Sequence, residues 1–227
     1  MLGDDNLVDK ILERPAAALI VKRVQKKLYL EQQKRQKFYK WLGDNESAEF
    51  INGQIVRQSP VTKAHIDSSS RLSQLLDTFA EENQIGWVSM GRTMTQFTRN
   101  DYEPDICFFN KEKAKQFTDK QLLFPVPDFV VEVLSKSSKA NIERDTVTKY
   151  NDYEEHGVPE YWIIDPHEKN VSQYVLRGGK YELILKSAEG VIRSQVVRGF
   201  NISVTSIFDS AENRRVLRLI LQNDLPK

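Results

Sequence analysis

Cysteine, long apolar runs, internal repeats and an excess of charge of either sign are all scarce in this sequence. Cys107 is the only cysteine in 227 residues, which excludes an intramolecular disulfide and a cysteine-ligated metal cluster. A lone thiol fits a reducing cytoplasm. The longest early apolar run, Ala16 to Val21, is far shorter than the roughly 20 residues that span a bilayer. The segment Met1 to Lys10 is acidic and polar, without the charged-then-apolar plan of a signal peptide, so the expectation is a soluble, cytoplasmic chain with no membrane partner. Net charge is +1, so any surface for a polyanion must be local. No low-complexity tract interrupts the chain. An apolar fraction of 40% and a charged fraction of 29% are ordinary for a globular protein.

The pattern of apolar residues places the elements. Pro15 to Leu42 reads as a helix, with Pro15 at its first position, Gly43 as its stop and Leu19, Ile20, Val24, Leu28 and Leu42 as an intermittent stripe. Its other faces carry Lys22, Arg23, Lys26, Lys27, Lys34, Arg35, Lys37 and Lys40. A solvated helix packed lightly on the domain or on a second subunit accounts for this; so does an arm that contacts phosphate. Glu49 to Val56 alternates around Asn52-Gly53, a hairpin signal. Thr62 to Asn83 reads as a helix with Ile66, Leu72, Leu75, Leu76 and Phe79 on one face. Strand patterns follow at Trp87–Phe97, Ile106–Phe109, Phe129–Leu134, Tyr161–Ile164, Val171–Leu176, Tyr181–Leu185 and Val191–Val197. Lys111 to Gln121 is polar and helical or looped. Ala140 to Glu155 reads as one helix stopped by Gly157, and Glu212 to Leu221 as a terminal one. The order predicts a mixed sheet flanked by helices, an α/β fold.

Two carboxylates stand where burial is costly. Asp105 opens the apolar strand Ile106 to Phe109, and Glu132 interrupts Phe129 to Leu134. An ionised acid in a low dielectric needs a partner. A shared Mg²⁺ or Mn²⁺ would relieve the repulsion between two of them; separate ion pairs would serve as well. Side chains alternate along a strand, which puts Asp128, Val130, Glu132 and Leu134 on one side. The helix after it offers Ile142, Thr146, Lys149 and Tyr153 as a stripe facing the sheet. Asp145, one turn before Lys149, is the alternative partner for that lysine as a surface pair. His65, near the start of the early helix, is more simply a solvated or packed histidine than a site residue.

Four segments together resemble the Uma2 family of predicted endonucleases, within the PD-(D/E)XK, restriction-endonuclease-like superfamily. They are Glu103-Pro104-Asp105-Ile106; Pro127-Asp128 through Ser135; Asp145, Lys149 and Tyr150; and Gly157-Val158-Pro159-Glu160-Tyr161-Trp162-Ile163-Ile164-Asp165-Pro166. The run Glu49 to Val56 is similar to that family's opening hairpin, and the resemblance spans Ala48 to Asp209. It implies a restriction-endonuclease-like core with Asp105 as the first metal ligand, Glu132 as the second and the Val133 carbonyl completing the sphere. Glu49 matches an upstream acid of the metal site. The superfamily's strand lysine falls on Leu134, a departure, and the resemblance implies that Lys149 replaces it. Taking Pro127-Asp128 as the first motif would put both acids on one strand and leave no second strand to frame the metal. Lys136 stands where the family is expected to have proline.

These readings divide the chain into an N-terminal helical extension (1–43), the nuclease-like domain (44–210) and a C-terminal helix (211–227). The expected activity is Mg²⁺-dependent (or Mn²⁺-dependent) hydrolysis of a nucleic-acid phosphodiester, DNA being the favoured substrate, with Asp105, Glu132, Lys149 and Glu49 as the catalytic set. The late hairpin and the incomplete stripe of the first helix predict a homodimer. Two rivals stand beside this: a nucleic-acid-binding or assembly module that keeps the fold without catalysis, favoured by Leu134, and a structural dimer whose acids form ion pairs.

Overall fold

The structure is a computed structural model that describes residues 2–42, 47–135 and 139–225. In chain order it contains helix α1 (Leu2–Leu12), helix α2 (Ala17–Trp41), strands β1 (Ala48–Ile51) and β2 (Gln54–Arg57), helix α3 (Lys63–Asn83), and strands β3 (Gly86–Met90), β4 (Met94–Gln96), β5 (Asp101–Tyr102) and β6 (Ile106–Asn110). There follow helix α4 (Lys111–Ala114), strands β7 (Leu123–Phe124) and β8 (Phe129–Val133), and helix α5 (Lys139–Glu143). A π-helical turn (Arg144–Lys149) leads into helix α6 (Tyr150–Glu155). Strands β9 (Glu160–Asp165), β10 (Asn170–Arg177), β11 (Lys180–Ser187), β12 (Val191–Arg193) and β13 (Asn201–Ser203) come next, then a 3₁₀ turn (Val204–Ile207) and helix α7 (Ser210–Leu221). Gly43 and Lys136 lie outside the described residues. No helix among the described residues is long and apolar enough to cross a membrane.

The chain forms two compact units: Met1–Gln58 with Thr98–Tyr102, and Ser59–Phe97 with Glu103–Lys227. In the first, β1 and β2 make the Asn52-Gly53 hairpin, with Phe50 opposite Ile55, and β1 also pairs with β5. The C-terminal half of α2 packs here. Phe38 is fully buried, 5.7 Å from the Phe50 ring, and Arg35 makes a two-pronged ion pair with the buried Asp101, its Nε donating at 2.6 Å. Tyr39 donates to the same carboxylate at 2.9 Å. Gly53 has φ +78°, and a Cβ there would lie 2.7 Å from Glu31 Cγ, so the turn requires glycine twice over. Helix α1 is bounded by Leu2 and Leu12.

The second unit is built on a six-stranded sheet of order β11-β10-β9-β8-β6-β3. Only β8 and β9 run parallel; their neighbours pair antiparallel, so the sheet is mixed. The β6–β8 register sets Cys107 opposite Val130 and Ile106 opposite Val131. Alternation therefore gives each strand two environments. Ile106, Phe108, Val131, Val133, Trp162 and Ile164 point to a core shared with Leu72, Leu76 and Phe79 of α3 and Val216 and Ile220 of α7. Each such side chain contributes roughly 1.5–3 kcal/mol on burial. The opposite face carries Cys107, Val130, Glu132 and Tyr161.

Two elements differ from the expectation. Val191 to Val197 is a strand only as far as Arg193. Beyond it the backbone N–H groups of Gln195 and Val196 donate to the buried Glu160 carboxylate, which also takes the Ser194 hydroxyl, so these groups cannot serve a ladder. Ala140 to Glu155 is a helix in three pieces, with a wider π turn in the middle. The expected inward stripe persists across it: Lys149 and Tyr153 are buried and Ile142 and Thr146 half-buried.

Candidate active site

Continuing the β6–β8 register one step places Asp105 across from Glu132, on the face shared by Cys107 and Val130. Asp105 immediately precedes β6 and Glu132 is the penultimate residue of β8. Asp105 Oδ2 accepts the Val133 backbone N–H at 2.7 Å, and Asp105 Oδ1 lies 3.1 Å from His65 Nε2. Glu132, 3% exposed, accepts at Oε1 from Lys149 Nζ at 2.8 Å and from the Tyr153 hydroxyl at 2.9 Å. Lys149 is 2% exposed and stands 3.6 Å from Asp145 Oδ1. Asp145 is itself buried, and its backbone carbonyl accepts from the Tyr161 hydroxyl at 2.9 Å. The Lys149–Asp145 contact is therefore an interior one, not the surface i,i+4 pair considered from spacing.

Asp145 and Lys149 lie four apart, a spacing that keeps two side chains on one helix face, and the turn that carries them is π-helical. It spans Arg144 to Lys149, and Asp145 and Lys149 are its buried members. A π turn holds more residues per turn than an α-helix and recurs at functional sites.

Three neighbours report the local field. Burial, and after it the Glu132 charge, pushes the Cys107 thiol well up. The same two causes, with Asp145 and Asp105 behind them, hold the Tyr161 hydroxyl far above its usual range. For His65, burial alone would lower the proton affinity. The hydrogen bond and charge of Asp105, the charge of Asp145 and the Val133 carbonyl together outweigh it, and the imidazole titrates above 6.5. Among the described residues, Asp105, Glu132 and Asp145 share these surroundings with Lys149 and His65.

Asp105, Glu132, Val133 and Lys149 come together in this second unit, whereas Glu49 lies on β1 of the first, opposite Val56. Asp128, the rejected alternative, accepts from the Asn110 backbone N–H and from Lys113, each at 2.8 Å, and so ties β8 to α4. Leu134 is half-buried and donates its N–H to Ile164. The sequence reading undervalued His65. Its signal was present: His65, Ser69, Leu72 and Leu76 recur at three- and four-residue steps on the inward face of α3, and the Thr62 hydroxyl caps the helix by accepting from the His65 N–H.

A family model described as "Putative restriction endonuclease", Uma2, matches residues 35–205. The chain belongs to the Uma2 family. As in that family's description, the Uma2 chain is of restriction-endonuclease type, and a nuclease family implies a nucleic-acid substrate. A solved structure from Anabaena variabilis, titled a "putative nuclease belonging to DUF820", matches 76% of this Uma2 chain and 96% of its own, with a TM-score of 0.63 at 18% identity. That likeness establishes the fold: a mixed sheet flanked by helices, the restriction-endonuclease-like core. No curated protein sequence matches the chain.

Proposed function

We propose that this Uma2 protein is a divalent-metal-dependent endonuclease acting on nucleic acid, DNA in the first instance. The reading rests on one observation: two carboxylates on the facing ends of adjacent strands, Asp105 and Glu132, with a buried lysine bonded to one of them. Among the described residues no three of the histidine, cysteine and acid side chains form a ready-made cage for an ion. Mg²⁺ is commonly bound by one or two carboxylates plus substrate phosphate and water, and Asp105 and Glu132 are two such carboxylates. The hard oxygen donors suit the same ion. Asp105, Glu132 and the Val133 carbonyl would hold it; Glu49 enters as a ligand on the family resemblance alone.

A bound Mg²⁺ supplies Lewis-acid polarisation of a phosphoryl oxygen and a more acidic water. The chain's own groups do the rest. Lys149 and Tyr153 both donate to Glu132 Oε1 and so hold that carboxylate in place. The Val133 N–H and His65 fix both oxygens of Asp105. Lys149, held beside Glu132, would offset charge that develops on the phosphate. Localisation in the cytoplasm and assembly as a homodimer belong to the same reading.

Plasmid nicking tests it. Cleavage in Mg²⁺ or Mn²⁺ that stops in EDTA and in Asp105→Ala supports a nuclease. Intact plasmid under every metal condition, with the chain folded and DNA still bound, supports the non-catalytic binding module, the reading that Leu134 at the usual lysine position favours.

A further inference from the structure

Helix α2 separates two kinds of surface. Every residue from 21 to 30 is exposed, so this half of the helix is left uncovered by the described residues. At about 100° per residue, Val21, Val24, Leu28, Arg35 and Tyr39 fall on one side, the side that anchors the C-terminal half through Asp101. Lys22, Arg23, Lys26 and Lys27, with Lys34, Lys37 and Lys40 further on, fall on the other, within an arc of about 140°. All seven are exposed. The only acid of the helix, Glu31, sits outside that arc and is engaged by Arg99 at 2.8 and 2.9 Å.

This face is not part of a generally basic protein. Eight cations against Glu31 give α2 a net charge of seven, so the rest of a chain whose total is +1 carries a net of minus six. The face also repels itself. Lys22–Lys26 and Arg23–Lys27 are four apart, and Arg23–Lys26, Lys34–Lys37 and Lys37–Lys40 three apart. Each like-charge pair costs a helix about 0.2–0.5 kcal/mol, and no acid on the arc offsets it.

We infer that the cationic face of α2 binds the phosphate backbone of nucleic acid without reading its sequence. This rests on the nuclease reading above and extends it to how the substrate is held. The row from Lys22 to Lys40 runs about 27 Å along the axis, enough to meet several phosphates of a duplex. Such contacts release counterions, and binding weakens steeply with salt.

The experiment is fluorescence anisotropy of a DNA duplex of about 30 base pairs with the full chain in EDTA, across salt from about 50 to 200 mM. The Lys22→Gln/Arg23→Gln/Lys26→Gln/Lys27→Gln variant should bind at least about tenfold more weakly at low salt. Its log–log salt slope should be shallower by up to about 3–4, near 0.9 for each phosphate no longer neutralised. Circular dichroism checks that both proteins are equally helical, and a variant with Lys22, Lys26 and Lys27 changed to Arg should bind like the parent. Unchanged affinity and slope overturn the inference. So does a fall in mass by light scattering without a change in DNA binding, which would give the face to a second copy. Hydrolysis of a small aryl phosphodiester, too short to reach along α2, separates the two readings: equal hydrolysis by parent and variant leaves the nuclease reading intact whatever α2 does, and hydrolysis by neither removes that reading while the binding result still decides the role of α2.

Discussion

Replacing Lys149 with Met removes an ammonium that lies between two buried carboxylates and keeps the aliphatic volume. The parent side chain is 2% exposed, bonds to Glu132 at 2.8 Å and stands 3.6 Å from Asp145. Removing one partner of a buried ion pair costs about 3–5 kcal/mol, because the other charge stays in the interior. Tyr153 still donates to Glu132, which places the expected loss at the lower end, about 3 kcal/mol. A domain of this kind has about 5–15 kcal/mol in all, so the variant should fold but unfold at clearly lower urea. Millimolar Mg²⁺ should restore more stability to Lys149→Met than it adds to the parent, since a cation at the carboxylates replaces the lost charge. Cleavage should fall by about two to four orders of magnitude. Adding Glu132→Gln should recover at least half of the lost stability and none of the activity. Urea unfolding with and without Mg²⁺, run beside plasmid nicking, reads all of this. Parent-like stability, or parent-like cleavage, in Lys149→Met would refute the reasoning.

Three further outcomes are expected. The His65 imidazole is held above 6.5 chiefly by Asp105, against the effect of burial, so its contribution to stability is complete below pH 6.5 and is lost as pH rises through the raised folded value; His65→Gln should flatten that part of the stability profile, and an unaltered profile would count against the pair. Glu160 is fully buried and accepts from the Trp162 indole, the Gln173 amide, the Ser194 hydroxyl and two backbone N–H groups; Glu160→Ala leaves these donors unsatisfied and should cost at least about 3 kcal/mol, read as a fall in melting temperature. The hydrogen bonds from Arg215 and Ser203 hold the Glu212 carboxyl down at about 2; its stabilisation is present above pH 4.5 and fades as pH falls towards 2, and Glu212→Gln should remove about 1 kcal/mol at neutral pH and make the acid limb shallower.

Much of the sheet was legible because alternation and short apolar runs survive in any context. Asp105 and Glu132 stood out for the same reason: a charge inside an apolar strand has few explanations. The distinction between a solvated and an inward-facing His65 was harder. It turns on which α3 residues meet the sheet, and Ile66, counted on the buried face in the sequence, is 51% exposed. The helix after β8 misled in another way. Apolar and polar residues recur through Ala140 to Glu155 at spacings that α and π turns share, so nothing local marks the widened turn. The truncation of the strand at Arg193 depended on Glu160, more than thirty positions earlier, a partner that local pattern cannot supply.

The widened turn at Arg144–Lys149 also bears on how this chain tolerates insertions and deletions. A π turn amounts to an α-helix with one residue too many. Deleting a single residue within it would let the hydrogen-bonding of α5 run unbroken into α6, a local gain in regularity. The same deletion would rotate everything on one side by about 100° relative to the other. Tyr153 and Lys149 could then no longer both reach Glu132 while Asp145 kept its place. Substitutions here should be absorbed far more readily than a change in length, and a shortened relative with a smoother helix would have traded away the alignment of its buried charges.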